Sequence, residues 1–161
     1  MKLVKSDLIL EEFFIINSNC NFIEPEENSF DKKKLLEGYK IDIDFIVRDI
    51  KNEDNKYIIF TKVEINSDDN QIPGYDIFAE GVSIFSFNLN SKLTEREKSD
   101  FLWHSGVSIS INNLRNFLCS MTSYCPLGKY TLPSVDLTSL LNTKKEMLNK
   151  SKKRTKKKLK K

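Results

Sequence analysis

Apolar and polar residues alternate most cleanly over Tyr39–Val47, where Ile41, Ile43, Phe45 and Val47 share one face and Lys40, Asp42 and Asp44 the other. A period of two is the mark of a strand with one buried face. Lys56–Ile65 repeats it, with Ile59, Val63 and Ile65 set against Lys62 and Glu64. Tyr75–Phe87 makes a further strand in which Gly81 interrupts the pattern, and a glycine there marks a bulge or a close approach by another backbone. Leu8–Asn17 sets apolar residues around Glu11 and Glu12 and holds the β-prone run Phe13–Ile16, which predicts a first strand. Asn17–Phe30, rich in Asn, Glu and Ser and containing Pro25, reads as a long loop. Short polar connections between successive strands favour an antiparallel sheet.

Beyond the strands the period changes. Thr94-Glu95-Arg96-Glu97 has the form of a capping box and opens a short helix, with Gly106 as its expected end. Val107, Ile111, Leu114, Leu118 and Met121 then recur at helical spacing, and Phe117 widens the stripe. Cys125-Pro126 and Gly128 stop that helix. After an extended piece ending in Leu132-Pro133, Ser134 or Asp136 is placed to cap a last helix with Leu137, Leu140, Leu141 and Leu148 on its apolar face. The pattern predicts an α+β domain: a four-stranded antiparallel sheet with two main helices packed on one face.

A chain of 161 residues is long enough for one core and short for two. No apolar run approaches the roughly 18–20 residues of a membrane span. The start, MKLVKSDLILEEFFII, meets Glu11 and Glu12 before a signal-like stretch matures, and no small-residue cleavage site follows. A cytoplasmic protein is therefore expected. The net charge of +3 conceals an asymmetry: nine of the 26 Lys and Arg lie from Lys150 onward, a segment without acids. The remaining 149 residues carry 17 cations against all 23 acids, a net of −6. The division expected is a folded domain over 1–149 and a disordered lysine-rich tail over 150–161, with Lys152, Lys153, Arg154, Lys156, Lys157 and Lys158 at its centre. Such a tail can make nonspecific, salt-sensitive contact with nucleic acid or anionic lipid. Without an aromatic residue to stack on bases it does not support sequence-specific recognition. It can equally be a solubilising tail, or one that folds back on the acidic body.

Catalytic chemistry is sparse. Cys20, Cys119 and Cys125 form no even framework and lack metal-ligand spacing, and Cys119, beside Leu118 and near Met121, reads as a reduced, buried thiol. His104 is the only histidine; next to Ser105 it makes no nucleophile relay, because adjacent side chains point apart. Among Phe101, Leu102 and Trp103 it reads as a partly buried contact at a helix break. With no Gly-rich phosphate loop either, neither an enzyme nor a cofactor is expected.

Five segments in order resemble the SecB-type protein-export chaperones: Tyr39-Lys40-Ile41-Asp42-Ile43-Asp44, Glu80-Gly81-Val82-Ser83-Ile84-Phe85-Ser86, Asn113–Thr122, Gly128 to Thr131-Leu132-Pro133, and Val135 with Leu137–Leu141. They are similar to the family's second strand, fourth strand, main helix, crossover loop and closing helix. The resemblance implies the sheet and helices above, a homotetramer made as a dimer of dimers, and a holdase that binds unfolded client proteins along apolar grooves for delivery to the SecA motor. Candidate groove residues are Phe78, Phe85, Tyr124, Leu127, Tyr130 and Leu132, for all of which ordinary core or dimer contacts are the competing reading. Asp42, Asp44, Glu64 and Glu80 are candidate motor-docking acids, or simply a solvated strand face. The basic carboxy-terminal segment departs from the family's second motor contact. SecB-like proteins also include chaperones dedicated to toxin–antitoxin pairs. A third reading keeps the folded part as a dimerisation module and places activity in the tail, as a nucleic-acid-associated protein.

Overall fold

The computed structural model describes residues 2, 4–25, 31–51, 53 and 55–158, with side chains as far as Lys150. Four strands, β1 (Leu8–Ile23), β2 (Ile41–Asp49), β3 (Lys56–Ile65) and β4 (Gly74–Phe87), form one antiparallel sheet in the order β1-β4-β3-β2. The helices are α1 (Lys32–Glu37), α2 (Glu95–Phe101), α3 (Val107–Thr122) and α4 (Leu137–Lys158). The α+β class and the four-stranded antiparallel sheet are as the periodicity predicts.

β1 runs six residues beyond Asn17, so 17–23 is strand where a loop was expected. Its polar second half is recruited by β4, whose 14 residues supply partners from Phe87 down to Gly74. Pairing overrides the low strand propensity of Asn17, Asn19 and Asn21. Two register shifts, between Leu10 and Glu12 and between Ile15 and Asn17, leave Glu11 and Ile16 as extra residues in β1. The second lies beside Gly81, which pairs with Ile15. A Cβ on Gly81 would stand 2.8 Å from the Phe13 ring, so the approach there is by a side chain, not a backbone.

Residues of the inner face (Ile59, Val63 and Ile65 from β3, with Tyr75, Ile77, Ala79, Phe85 and Phe87 from β4) are buried under α3, which contributes Val107, Ile111, Leu114 and Leu118. Thr94 and Glu97 form the expected capping box. Gly106 does not end the helix. A π-helical turn, Leu102–Gly106, joins α2 directly to α3. Gly106 is there for closeness: a Cβ on it would fall 2.8 Å from Ile59 Cδ1. His104 is correspondingly exposed within a continuous helix and is not at a break.

α4 begins at Leu137 with Asp136 as its cap, its carboxylate accepting from the Ser139 N–H at 3.1 Å. The backbone of the basic segment continues this helix to Lys158. The side chains of Lys152, Lys153, Arg154, Lys156, Lys157 and Lys158, and residues 159–161, lie outside the described residues.

Candidate polypeptide-binding groove

The six residues expected to line a groove do not come together. Phe85, Leu127, Tyr130 and Leu132 are core side chains, none more than 5% exposed, while Tyr124 is 96% exposed. Phe78 is half-buried on the opposite face of the sheet from Phe85, between Asn19 of β1 and Glu64 of β3. The crossover, 129–136, explains this placement. An extended segment outside a sheet must find partners for its main chain, and here side chains of the body supply them. Arg115 on α3 donates from Nε to the Leu132 carbonyl at 2.9 Å and from Nη2 to the Pro133 carbonyl at 2.8 Å. The Tyr130 N–H donates to Thr122 Oγ1 at 2.8 Å, and the Tyr75 hydroxyl to the Gly128 carbonyl at 2.8 Å. Bound along its length, the crossover turns its apolar side chains into the core.

The four acids do share the face turned away from α3. Asp42 stands opposite Glu64 and Asp44 opposite Lys62, which in turn faces Glu80. The patch is not purely acidic. Lys62 Nζ lies 3.0 Å from Glu64 Oε1, and that contact raises the lysine above its usual range. Asp44 is paired with Lys144 of α4 at 2.5 Å.

That last pair locates a groove whose chemistry fits a polypeptide. Between β2 and α4 lies a cleft of about 470 Å³. Ile41, Asp42, Ile43 and Asp44 line one side, and Leu140, Thr143, Lys144 and Met147 the other. Consecutive residues from both faces of a strand meet one cleft only at the strand's edge, and β2 is an edge strand. The ladder fixes which main-chain groups face outward. The Lys40 carbonyl accepts from the Asn66 N–H, and the Ile50 N–H donates to the Lys56 carbonyl. With the two-residue repeat of an antiparallel pair, even-numbered residues of β2 bond to β3 and odd-numbered ones turn N–H and C=O to the free edge. The Phe45 N–H is capped by the Asp44 carboxylate at 2.8 Å. Ile41 and Ile43 therefore present the main-chain groups that an added strand would use.

α4 is seated by mixed contacts. Leu141 is buried, Lys144 Nζ lies 5.6 Å from the centre of the Phe45 ring, and Lys145 Nζ lies 5.9 Å from that of Trp103. The cleft combines partly buried aliphatic side chains, the adaptable and 60% exposed Met147, and carboxylates at its rim. It can hold an extended segment through main-chain bonds while asking little of its side chains. The sequence reading identified Ile41, Ile43 and Leu140 as apolar positions of a strand and a helix, but missed their juxtaposition; Met147 carried no signal beyond its place in the last helix.

A second apolar feature was also missed. On the face away from α3, Phe14, Val82, Phe60 and Ile46 stand in register across all four strands. Phe14 and Ile46 are each more than 40% exposed. The signal was present in Phe13-Phe14 and Phe45-Ile46, apolar doublets that break strict alternation.

An antiparallel four-stranded sheet with a main helix on one face, an extended crossover and a closing helix is the SecB-like arrangement, and this chain has that fold. No protein-family model matches the chain, and no curated protein matches it in sequence. Among solved structures it is similar to the Mycobacterium tuberculosis Rv1957 SecB-like chaperone in complex with a ChAD peptide from the Rv1956 HigA1 antitoxin. The TM-score is 0.53 at 13% identity, over 81% of this chain and 91% of that one. A protein of unknown function from Streptococcus agalactiae gives a TM-score of 0.40 at 10% identity, over 81% of this chain and 100% of that one. Among the described residues no helix is long and apolar enough to cross a membrane, and no cluster of three or more His, Cys, Asp or Glu is arranged to hold a metal.

Proposed function

We propose that this chain is a SecB-like chaperone that holds extended, non-native polypeptide segments in the cleft between β2 and α4. The observation that carries the reading is a free strand edge, with Ile41 and Ile43 main-chain groups outward, facing an aliphatic wall on α4. Such a site bonds to backbone, which every client has, and adds affinity where a client side chain is apolar. The likeness in fold to a SecB-like chaperone bound to an antitoxin peptide supports it. It assigns no catalysis.

Two versions differ in clientele. An export chaperone would work as a homotetramer and hand its clients to SecA, using the open acidic face. A dedicated chaperone would hold one partner, such as an antitoxin. Ion pairing of Asp44 and Glu64 leaves less free negative charge for motor docking and favours the dedicated version. The lysine-rich segment adds nonspecific, salt-dependent contact with nucleic acid or anionic lipid, separable from client capture by raising ionic strength.

Met147→Glu tests the cleft. The side chain is exposed, so folding should be unaffected, while a carboxylate would join Asp42 and Asp44 beside a bound segment. Titration with a reduced, permanently unfolded protein should show affinity falling about tenfold, near 1.4 kcal/mol. Unchanged affinity would place binding elsewhere.

A further inference from the structure

Cys20 and Cys125 lie 105 positions apart in sequence, yet their Sγ atoms approach to 3.9 Å. Both thiols are free and half-buried. Cys20 is fixed in β1 opposite Ile77 of β4. Cys125 sits in the turn after α3, where its N–H donates to the Thr122 carbonyl at 3.0 Å and its carbonyl accepts from the Gly128 N–H at 2.7 Å. Each backbone is thus held by its own hydrogen bonds, so the fold itself brings the sulfurs together. A disulfide holds its sulfurs at about 2.05 Å, and closing the remaining gap of roughly 2 Å is within the reach of side-chain rotation. Cys119 does not take part: its thiol donates to Thr131 Oγ1 at 3.4 Å.

We propose that Cys20 and Cys125 form a reversible disulfide that clamps the turn leading into the crossover onto β1. The oxidant is a low-molecular-weight disulfide of the glutathione class. Cys20 is held in the β1 ladder, and burial, reinforced by the hydrogen bond with Cys125, pushes its thiol up to about 12; Cys125, in the turn after α3, therefore makes the first attack. Its thiolate attacks one sulfur of the oxidant, the oxidant's S–S bond breaks, and one small thiol leaves. Cys20 then attacks the Cys125 sulfur of this mixed disulfide and expels the second small thiol. Two protein thiols are oxidised and one small disulfide is reduced, with the two thiol protons ending on the released thiols.

The clamp acts at Cys125, four residues ahead of the crossover's first residue, Lys129, and Val135, near the far end of that crossover, lines the cleft beside α4. Bond formation does not depend on what the cleft holds, so the disulfide and the chaperone reading fail independently.

The test uses the full chain with its three cysteines. Incubation with glutathione disulfide, alkylation of remaining thiols and intact-mass analysis should show two thiols lost, one alkylated, and about 2 Da removed by the bond. Peptide mapping should join Cys20 to Cys125, and dithiothreitol should restore three alkylatable thiols. The proposal is overturned if both cysteines remain alkylatable, if a glutathione adduct persists on Cys125 without closure, or if the bond formed involves Cys119 or a second chain.

Discussion

Tyr75 and Tyr130 show how single side chains set the chemistry under the crossover. Tyr75 is fully buried and donates its hydroxyl to Gly128; Tyr130 is 3% exposed and its hydroxyl has no partner among the described residues. Burial pushes both phenols up to about 12. Below about pH 9 both are neutral in folded and unfolded chain alike, so there they place no pH dependence on stability. Between about pH 10 and 12 the unfolded chain loses these protons and the folded chain keeps them. Stability should then fall as pH rises through that window, by at most about 2.7 kcal/mol per tyrosine. Thermal unfolding followed by circular dichroism from pH 8 to 12 checks this. Tyr130→Phe should remove part of the alkaline loss and leave the midpoint at pH 7 unchanged or slightly raised, because the orphaned hydroxyl is deleted. An unaltered alkaline slope in that variant would contradict the assignment.

At the scale of elements, the join between α2 and α3 is the informative place. The π-helical turn carries Gly106 to the surface of β3, where a Cβ would stand 2.8 Å from the Ile59 Cδ1 methyl and force that buried side chain to shift. Ala is the better helix former by about 1 kcal/mol, yet Gly106→Ala should lower the unfolding midpoint, because the added methyl overpacks this contact. Ile59→Val removes the atom in conflict, so a double-mutant cycle should show coupling of roughly 0.5–3 kcal/mol in the rescuing direction. Strictly additive effects would refute the close-packing role. This is also where sequence reading stopped being sufficient. Period-two and helical stripes gave β2, β3, β4, α3 and the start of α4, because one-sided burial writes itself into the spacing of Ile41, Ile43 and Phe45 or of Ile111, Leu114 and Leu118. Gly106 looked like a stop because a glycine fitted to a close contact and one fitted to a helix end are the same letter. The second half of β1 looked like a loop because its strand character comes from β4. α1, a single short helix capped by Asp31, carries too few apolar positions to show a period.

Taken whole, the molecule separates its surfaces. One face of the sheet is sealed by α3 and the crossover. The opposite face carries mixed charge and the row Phe14, Val82, Phe60 and Ile46, and the edge of β2 meets α4 in the cleft. Tyr130 and Leu132 were groove candidates because the crossover resembles that of the SecB-type chaperones, whose family implies apolar client grooves. Arg115, Thr122 and Tyr75 draw that segment into the core instead, and no local pattern records those long-range bonds. The cleft was hidden for the same reason: Asp44 and Lys144, which bridge β2 and α4, are 100 positions apart.

The most direct measurement is amide hydrogen exchange of the full chain with and without a saturating, permanently unfolded polypeptide. The account predicts slowed exchange at the Ile41 and Ile43 N–H groups, through added strand pairing, together with protection along α4 from Ser139 to Met147. Protection confined to the row around Phe14 and Phe60, or none on β2 and α4, would contradict it.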